Sequence, residues 1–145
     1  MLDRLSQADR ICGAGALLAL VASFLPWYHF DSGSMRVTSN AFGTGFLGDV
    51  VFFAGASTVL LLLIRYRMIA VRNSSFADDP RTLLIAGLTA LGAVVLQMLI
   101  GINGSGAFHH MTLGIVVALF ATGAMAIGGR MQSTHLGSRH SRGMR

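Results

Sequence analysis

The stretch TLLIAGLTALGAVVLQMLIGI, residues 82–102, carries no charged side chain from Thr82 to Ile102. A bilayer core needs about 20 predominantly apolar residues in helical form. Inside lipid every backbone polar group must be satisfied internally, so such a segment reads as a helix. Working outward, Ile11–Phe30, Val50–Ile64 and Met111–Gly129 are equally free of charge. The second of these is short by itself and reaches full length if residues 46–49 form its first turn. The composition agrees: 53% of the chain is hydrophobic, 12% is charged, and mean hydropathy is +0.64. A soluble domain usually carries about 25% charged residues, so these apolar groups need a medium other than water.

The expected fold is therefore all-α: a polytopic membrane protein with transmembrane helices near 8–30, 46–67, 82–102 and 110–129. Two regions follow, a transmembrane domain over 1–129 and a basic tail over 130–145, expected to be disordered and cytoplasmic. Arginine sets the orientation. The chain has eleven arginines and no lysine. Arg4, Arg10, Arg65, Arg67, Arg72, Arg81, Arg130, Arg139, Arg142 and Arg145 fall on one side of a four-span topology, and Arg36 alone on the other. Positive loops stay cytoplasmic, so both termini are expected inside. The first apolar run also has the arginine-then-apolar order of a signal peptide. No convincing small-x-small cleavage site lies just before Pro26, however, Leu20-Val21-Ala22 being a poor one, and the run reads as a retained anchor. Ser6 followed by Asp9 reads as a helix N-cap pair.

Phe24-Leu-Pro-Trp-Tyr-His-Phe30 closes the first run. Proline tends to end or kink a helix. Ile11 to Trp27 rises about 24 Å as a helix, so Trp27 and Tyr28 are expected at the outer interface as amphipathic ring anchors. The alternative is an aromatic pocket with His29 as its polar group. FLPWY, a Ser/Gly-rich loop and SNAFGTGFLGDVVFFAGASTVLLLL together resemble a group of small four-helix integral membrane proteins of actinobacterial type, over about 24–64. That resemblance implies a topology and no activity.

Gly43-Thr-Gly-Phe-Leu-Gly48 fits G-x-G-x-x-G, but a dinucleotide site needs a preceding strand in a βαβ unit and an acid about 20 residues on. The expected role of the glycines is a turn into the second helix, with Asp49 favouring its positive end. Asp49 is also a candidate outer polar site, about 5 Å deep if the helix starts at Phe46. His29, His109 and His110 are candidates on the same face. Adjacent histidines on a helix point apart, and His29 joins them only if the first and last helices are neighbours. Gln97 is the strongest polar group well inside a span, about 8 Å short of its outer end, and is expected to hydrogen-bond a neighbouring helix. Small residues recur every four positions: Gly15, Ala19 and Ser23 in the first helix, and Gly114, Ala118 and Thr122 in the last. Such stripes let membrane helices approach closely, within one chain or between copies.

Several chemistries are excluded. Without lysine there is no Walker A motif and no Schiff base. A single cysteine, Cys12, allows no C-x-x-C pair and no intrachain disulfide. No catalytic residue, cofactor or metal is assigned. The expected partners are the bilayer, with anionic lipid against the basic cytoplasmic face, and a homo-oligomer or membrane-protein partner; nucleic acid is not expected. The function classes left are a non-enzymatic accessory or scaffolding protein of the bacterial plasma membrane, a small oligomeric channel, transporter or holin-like pore, and a membrane enzyme or redox subunit resting on the outer histidines.

Overall fold

A computed structural model describes residues 6–32, 35–69, 75–101 and 110–140. The chain is mostly helical. Helix α1 (Gln7–Phe24) starts at Ser6, whose oxygen accepts the Asp9 N–H at 3.1 Å and whose hydroxyl donates to the Asp9 carboxylate at 2.5 Å. The helix stops six residues before the expected Phe30. Proline disfavours helical backbone in the residue before it, and Leu25 is accordingly extended, with ψ at 155°.

The next segment departs from the all-helical expectation. Strand β1 (Tyr28–Ser32) pairs antiparallel with β2 (Met35–Ser39), from Tyr28 opposite Ser39 to Ser32 opposite Met35. A 3-10 turn, Ala41–Thr44, leads to helix α2 (Phe46–Arg65). Gly45 makes the corner with φ at +97°, and a Cβ on Gly48 would lie 2.0 Å from the Ala41 carbonyl oxygen. The glycine-rich run is thus a tight entry to α2. The short helix α3 (Ser75–Asp78) precedes α4 (Pro80–Ile100), which is capped by the Asp79 carboxylate on the Arg81 N–H at 2.9 Å. Helix α5 (Leu113–His140) begins later than expected because residues 110–112 join the hairpin instead. Tyr28 bridges to Met111, and the Thr112 N–H donates to the Trp27 carbonyl at 2.9 Å. It also runs on past Gly129, so residues 130–140 of the expected irregular tail continue as helix.

The four long helices form a bundle with neighbours in the cyclic order α1–α2–α4–α5. Close approaches fix the register. A Cβ on Gly15 would lie 2.7 Å from the Ala121 oxygen, one on Gly128 would meet Cys12 and Ala8, and one on Gly114 would meet Pro26. Helices α1 and α5 are therefore antiparallel and stay in contact along their length. Gly87 meets Ala126 and Gly129 meets Leu84 in the same way, which sets α4 antiparallel to α5. The expected packing residues Gly15, Ala19, Ser23, Gly114, Ala118 and Thr122 are all buried, and these approaches use both stripes within one chain.

The bundle is small inside and large outside. Its core holds Ala16, Ala19, Ala22, Ala90, Ala118 and Ala121. Leu17, Val21 and Phe24 of α1, Phe53 of α2, Ile85 and Leu99 of α4, and Phe120 of α5 are exposed. Among the described residues, three helices are long and apolar enough to cross a membrane: 46–65, 81–100 and 113–134.

Candidate functional site

The backbone defect made by Pro26 organises one end of the bundle. Proline has no N–H, so the carbonyl four residues earlier, on Ala22, loses its helical donor. The Trp27 indole N–H supplies a replacement at 2.8 Å, beside the Leu25 N–H at 3.2 Å. Trp27 then ties three elements together. Its own N–H donates to the Ser39 carbonyl at the end of β2, and its carbonyl accepts from Thr112. Pro26 is bound to the start of α5, its carbonyl taking the Gly114 N–H at 3.1 Å and the Thr112 hydroxyl.

Tyr28 completes the arrangement. Its hydroxyl donates to the main-chain carbonyl of Gln97 at 3.0 Å, near the end of α4. The Gln97 side chain donates to the Gly101 carbonyl at 3.1 Å, so it bonds within its own segment and not to a neighbouring helix. Trp27 and Tyr28 were expected as ring anchors facing an interface; both are 0% exposed. The indole and phenol donors satisfy helix-end carbonyls of the protein, which draws both rings inward. An open cleft of about 340 Å³, lined by Phe24, Pro26, Thr38, Ser39, Asn40 and Gly43, lies beside them.

The opposite end carries a polar knot. The Asp9 carboxylate, 5% exposed, accepts the Tyr66 hydroxyl at 2.5 Å, the Ser6 hydroxyl at 2.5 Å and the Gln132 amide. Arg65 stands 3.4 Å from the same carboxylate and donates to the Gln132 side-chain oxygen at 2.7 Å. Three helices, α1, α2 and α5, are joined by one charge pair and two neutral polar groups. Burial, and then the hydrogen bond to Asp9, hold the Tyr66 phenol above its ordinary ionisation range. The side-chain donors of Ser6, Arg65, Tyr66 and Gln132 all converge on Asp9, and Arg65 also reaches Gln132, an arrangement that clamps the three helices.

The remaining candidates divide. Asp49 lies in the first turn of α2, half-buried. His109 lies outside the described residues. His29 and His110 are brought together: the His29 N–H donates to the His110 carbonyl at 3.0 Å, and their rings lie 5.3 Å apart at 83°. The neighbourhood of α1 and α5 is what makes this possible. Among the described residues no group of three or more His, Cys, Asp or Glu is placed to hold a metal ion. From sequence, Asp9 reads only as the cap partner of Ser6 and Arg65 only as a topology charge; Tyr66 and Gln132 are not singled out. The signal was an acid in the first turn of an apolar helix, with Arg65 and Gln132 set by topology at the same end.

Comparison of the chain with protein-family models, with curated proteins and with solved structures finds no match.

Proposed function

We propose that the chain is a four-span protein of the bacterial plasma membrane with both termini cytoplasmic, acting as a non-enzymatic accessory or scaffolding element. The reading of α1 as a fourth span rests on two features. Its outward face carries Leu17, Leu18, Val21 and Phe24, continuous in character with the exposed faces of the other helices. Its one buried charge, Asp9, is paired with Arg65 inside the protein. A large exposed apolar surface calls for lipid or partner contact. The antiparallel order gathers Arg10, Arg65, Arg67, Arg81 and Arg130 at one end, which supports a cytoplasmic assignment for that end and contact with anionic lipid there.

The single observation that carries the scaffolding role is how the interior is filled. Helix α5 meets α1 and α4 through backbone-to-backbone approaches at Gly15, Gly87, Gly128 and Gly129. Buried Ser23 and Thr122 hydroxyls bond carbonyls of their own helices at 2.9 and 2.8 Å. Polar groups so committed do not line a path for a solute, which disfavours a single-chain pore. Two experiments test the reading. Cysteines placed at Ser34 and Ser105 should label from outside intact cells and one at Ser133 should not; labelling at Ser133 would overturn the topology. Proteoliposomes holding the purified chain should leak protons and small ions no faster than empty vesicles; saturable flux would replace the scaffold with the pore.

A further inference from the structure

We infer that the cleft beside Pro26 is the head-group site for a membrane lipid with an uncharged, hydroxyl-bearing head, of the glycosyl diacylglycerol class, whose chains lie on an adjoining phenylalanine patch. Two separate features meet there. The first is the cleft of about 340 Å³ lined by Phe24, Pro26, Thr38, Ser39, Asn40 and Gly43. That volume is at the lower end of the range for small-molecule sites, roughly 300–1,000 Å³. The second is a set of ring contacts. The Phe24 ring centre lies 5.4 Å from that of Phe42 and 5.9 Å from that of Phe52, and Phe52 stands 5.6 Å from Phe53. Phe24 belongs to both features, so the cleft opens onto the aromatic patch.

The placement suits a lipid lying across its own interface, and the inference rests on the reading of α1 and α2 as membrane spans. Helix α1 is about 27 Å long and Phe24 is its last residue, so the cleft stands where the span leaves the acyl layer. Phe52 and Phe53 lie about 10 Å along α2 from its first residue, Phe46, and so reach down into that layer. Phe24, Phe42 and Phe53 are exposed, and an aromatic patch open on that side calls for a covering partner. The rest of the cleft lining is polar. The Asn40 side-chain oxygen accepts the Gly43 N–H at 3.2 Å, which leaves its amide to donate, and Thr38 brings a hydroxyl on an exposed strand position. None of these lining residues is charged. Arg36, on the same hairpin, stands opposite Asp31 in the register, so the strands contribute one charge of each sign; His29 stands opposite Thr38, and Asp49 in the first turn of α2 adds an acid. That balance gives an anionic head no advantage, whereas hydroxyls can pair with Thr38 and Asn40.

The test uses the full chain in mild detergent, incubated with equal amounts of monoglucosyl diacylglycerol, phosphatidylglycerol and phosphatidylethanolamine of identical acyl chains and read by native mass spectrometry. One glucolipid per chain is expected, favoured at least about fivefold over either phospholipid, the worth of one neutral hydrogen bond. This comparison needs no variant. Thr38→Val, at an exposed position, should weaken glucolipid binding about fivefold and leave phospholipid binding unchanged. Asn40→Asp keeps an oxygen for the Gly43 N–H and should act likewise. Phe42→Ala should weaken retention of all three lipids alike. Methyl glucoside in excess should displace nothing, because it has no chains to lay on the patch. Equal retention of the three lipids, full glucolipid retention in Thr38→Val and Asn40→Asp, or displacement by methyl glucoside overturns the inference alone, provided the chain stays in membranes washed with alkaline carbonate. Release of the chain by that wash overturns the membrane reading and the inference together.

Discussion

Replacing Asp9 with alanine removes the acceptor on which one end of the bundle converges. Gln132 is 6% exposed, and its amide loses a partner that water cannot readily replace. An unsatisfied buried donor costs about 1–3 kcal/mol. The Tyr66 hydroxyl is less enclosed and finds solvent at a cost of about 1 kcal/mol. Arg65 is 22% exposed and keeps the Gln132 oxygen at 2.7 Å, so its charge is not stranded. The total is about 3 kcal/mol, at the lower edge of the range of about 3–5 for breaking a buried ion pair. Asp9→Asn keeps one acceptor oxygen and the shape, and should cost about half as much. Equilibrium unfolding in mixed detergent micelles, followed by circular dichroism, measures both. A double-mutant cycle of Asp9→Ala with Tyr66→Phe should give a coupling of about 1 kcal/mol. If Asp9→Ala is within about 0.5 kcal/mol of wild type, as an ordinary surface change is, the knot is not a clamp.

Three further outcomes are expected. Trp27→Phe removes the donor to Ala22 and part of a fully buried ring, and should lower stability by about 2 kcal/mol in the same assay with topology unchanged. Ala118→Leu, at a position with 0% exposure, should cost about 2–3 kcal/mol by overpacking, while Val116→Leu on the exposed face should be silent; equal tolerance would mean that α5 packs by another face. For Tyr66, whose phenol ionises higher in the folded chain than its ordinary value of about 10, the contribution to stability is complete below that value and is lost as pH rises through the folded one. Unfolding curves at pH 8 and at pH 12 should therefore differ more for wild type than for Tyr66→Phe.

The apolar runs made the three long spans legible, because a charge-free stretch from Thr82 to Ile102 has few other solutions. Helix ends were less so. Pro26 marked where α1 would break, but reading the aromatics as anchors hid that the Ala22 carbonyl would need a donor and that Trp27 could supply it. The hairpin was missed although its signal was present: Ser32 opposite Met35 leaves Gly33-Ser34 between the strands, a dipeptide suited to a two-residue turn. Tyr, Phe, Val and Thr flank it, but a short loop between two membrane helices is not where strands are sought. The pairing of His29 with His110 and of Asp9 with Gln132 depends on which helices are neighbours, and one sequence carries no information on that. The small-residue stripes identified faces that approach closely; only the register of Gly15 against Ala121 named the partner.

The Asp9–Gln132 contact spans 123 positions of the chain. At about 5–20 residues per second, Gln132 leaves the ribosome roughly 6–25 s after Asp9. For that interval the first helix has an acid in its opening turn with part of its final set of partners absent. Arg65 and Tyr66 emerge midway, so the charge is met before the amide is. The amino-terminal helix thus gains the last of its Asp9 partners only when the final helix arrives. A ribosome stalled before residue 132 should leave Asp9 open to chemical modification, and release should close it.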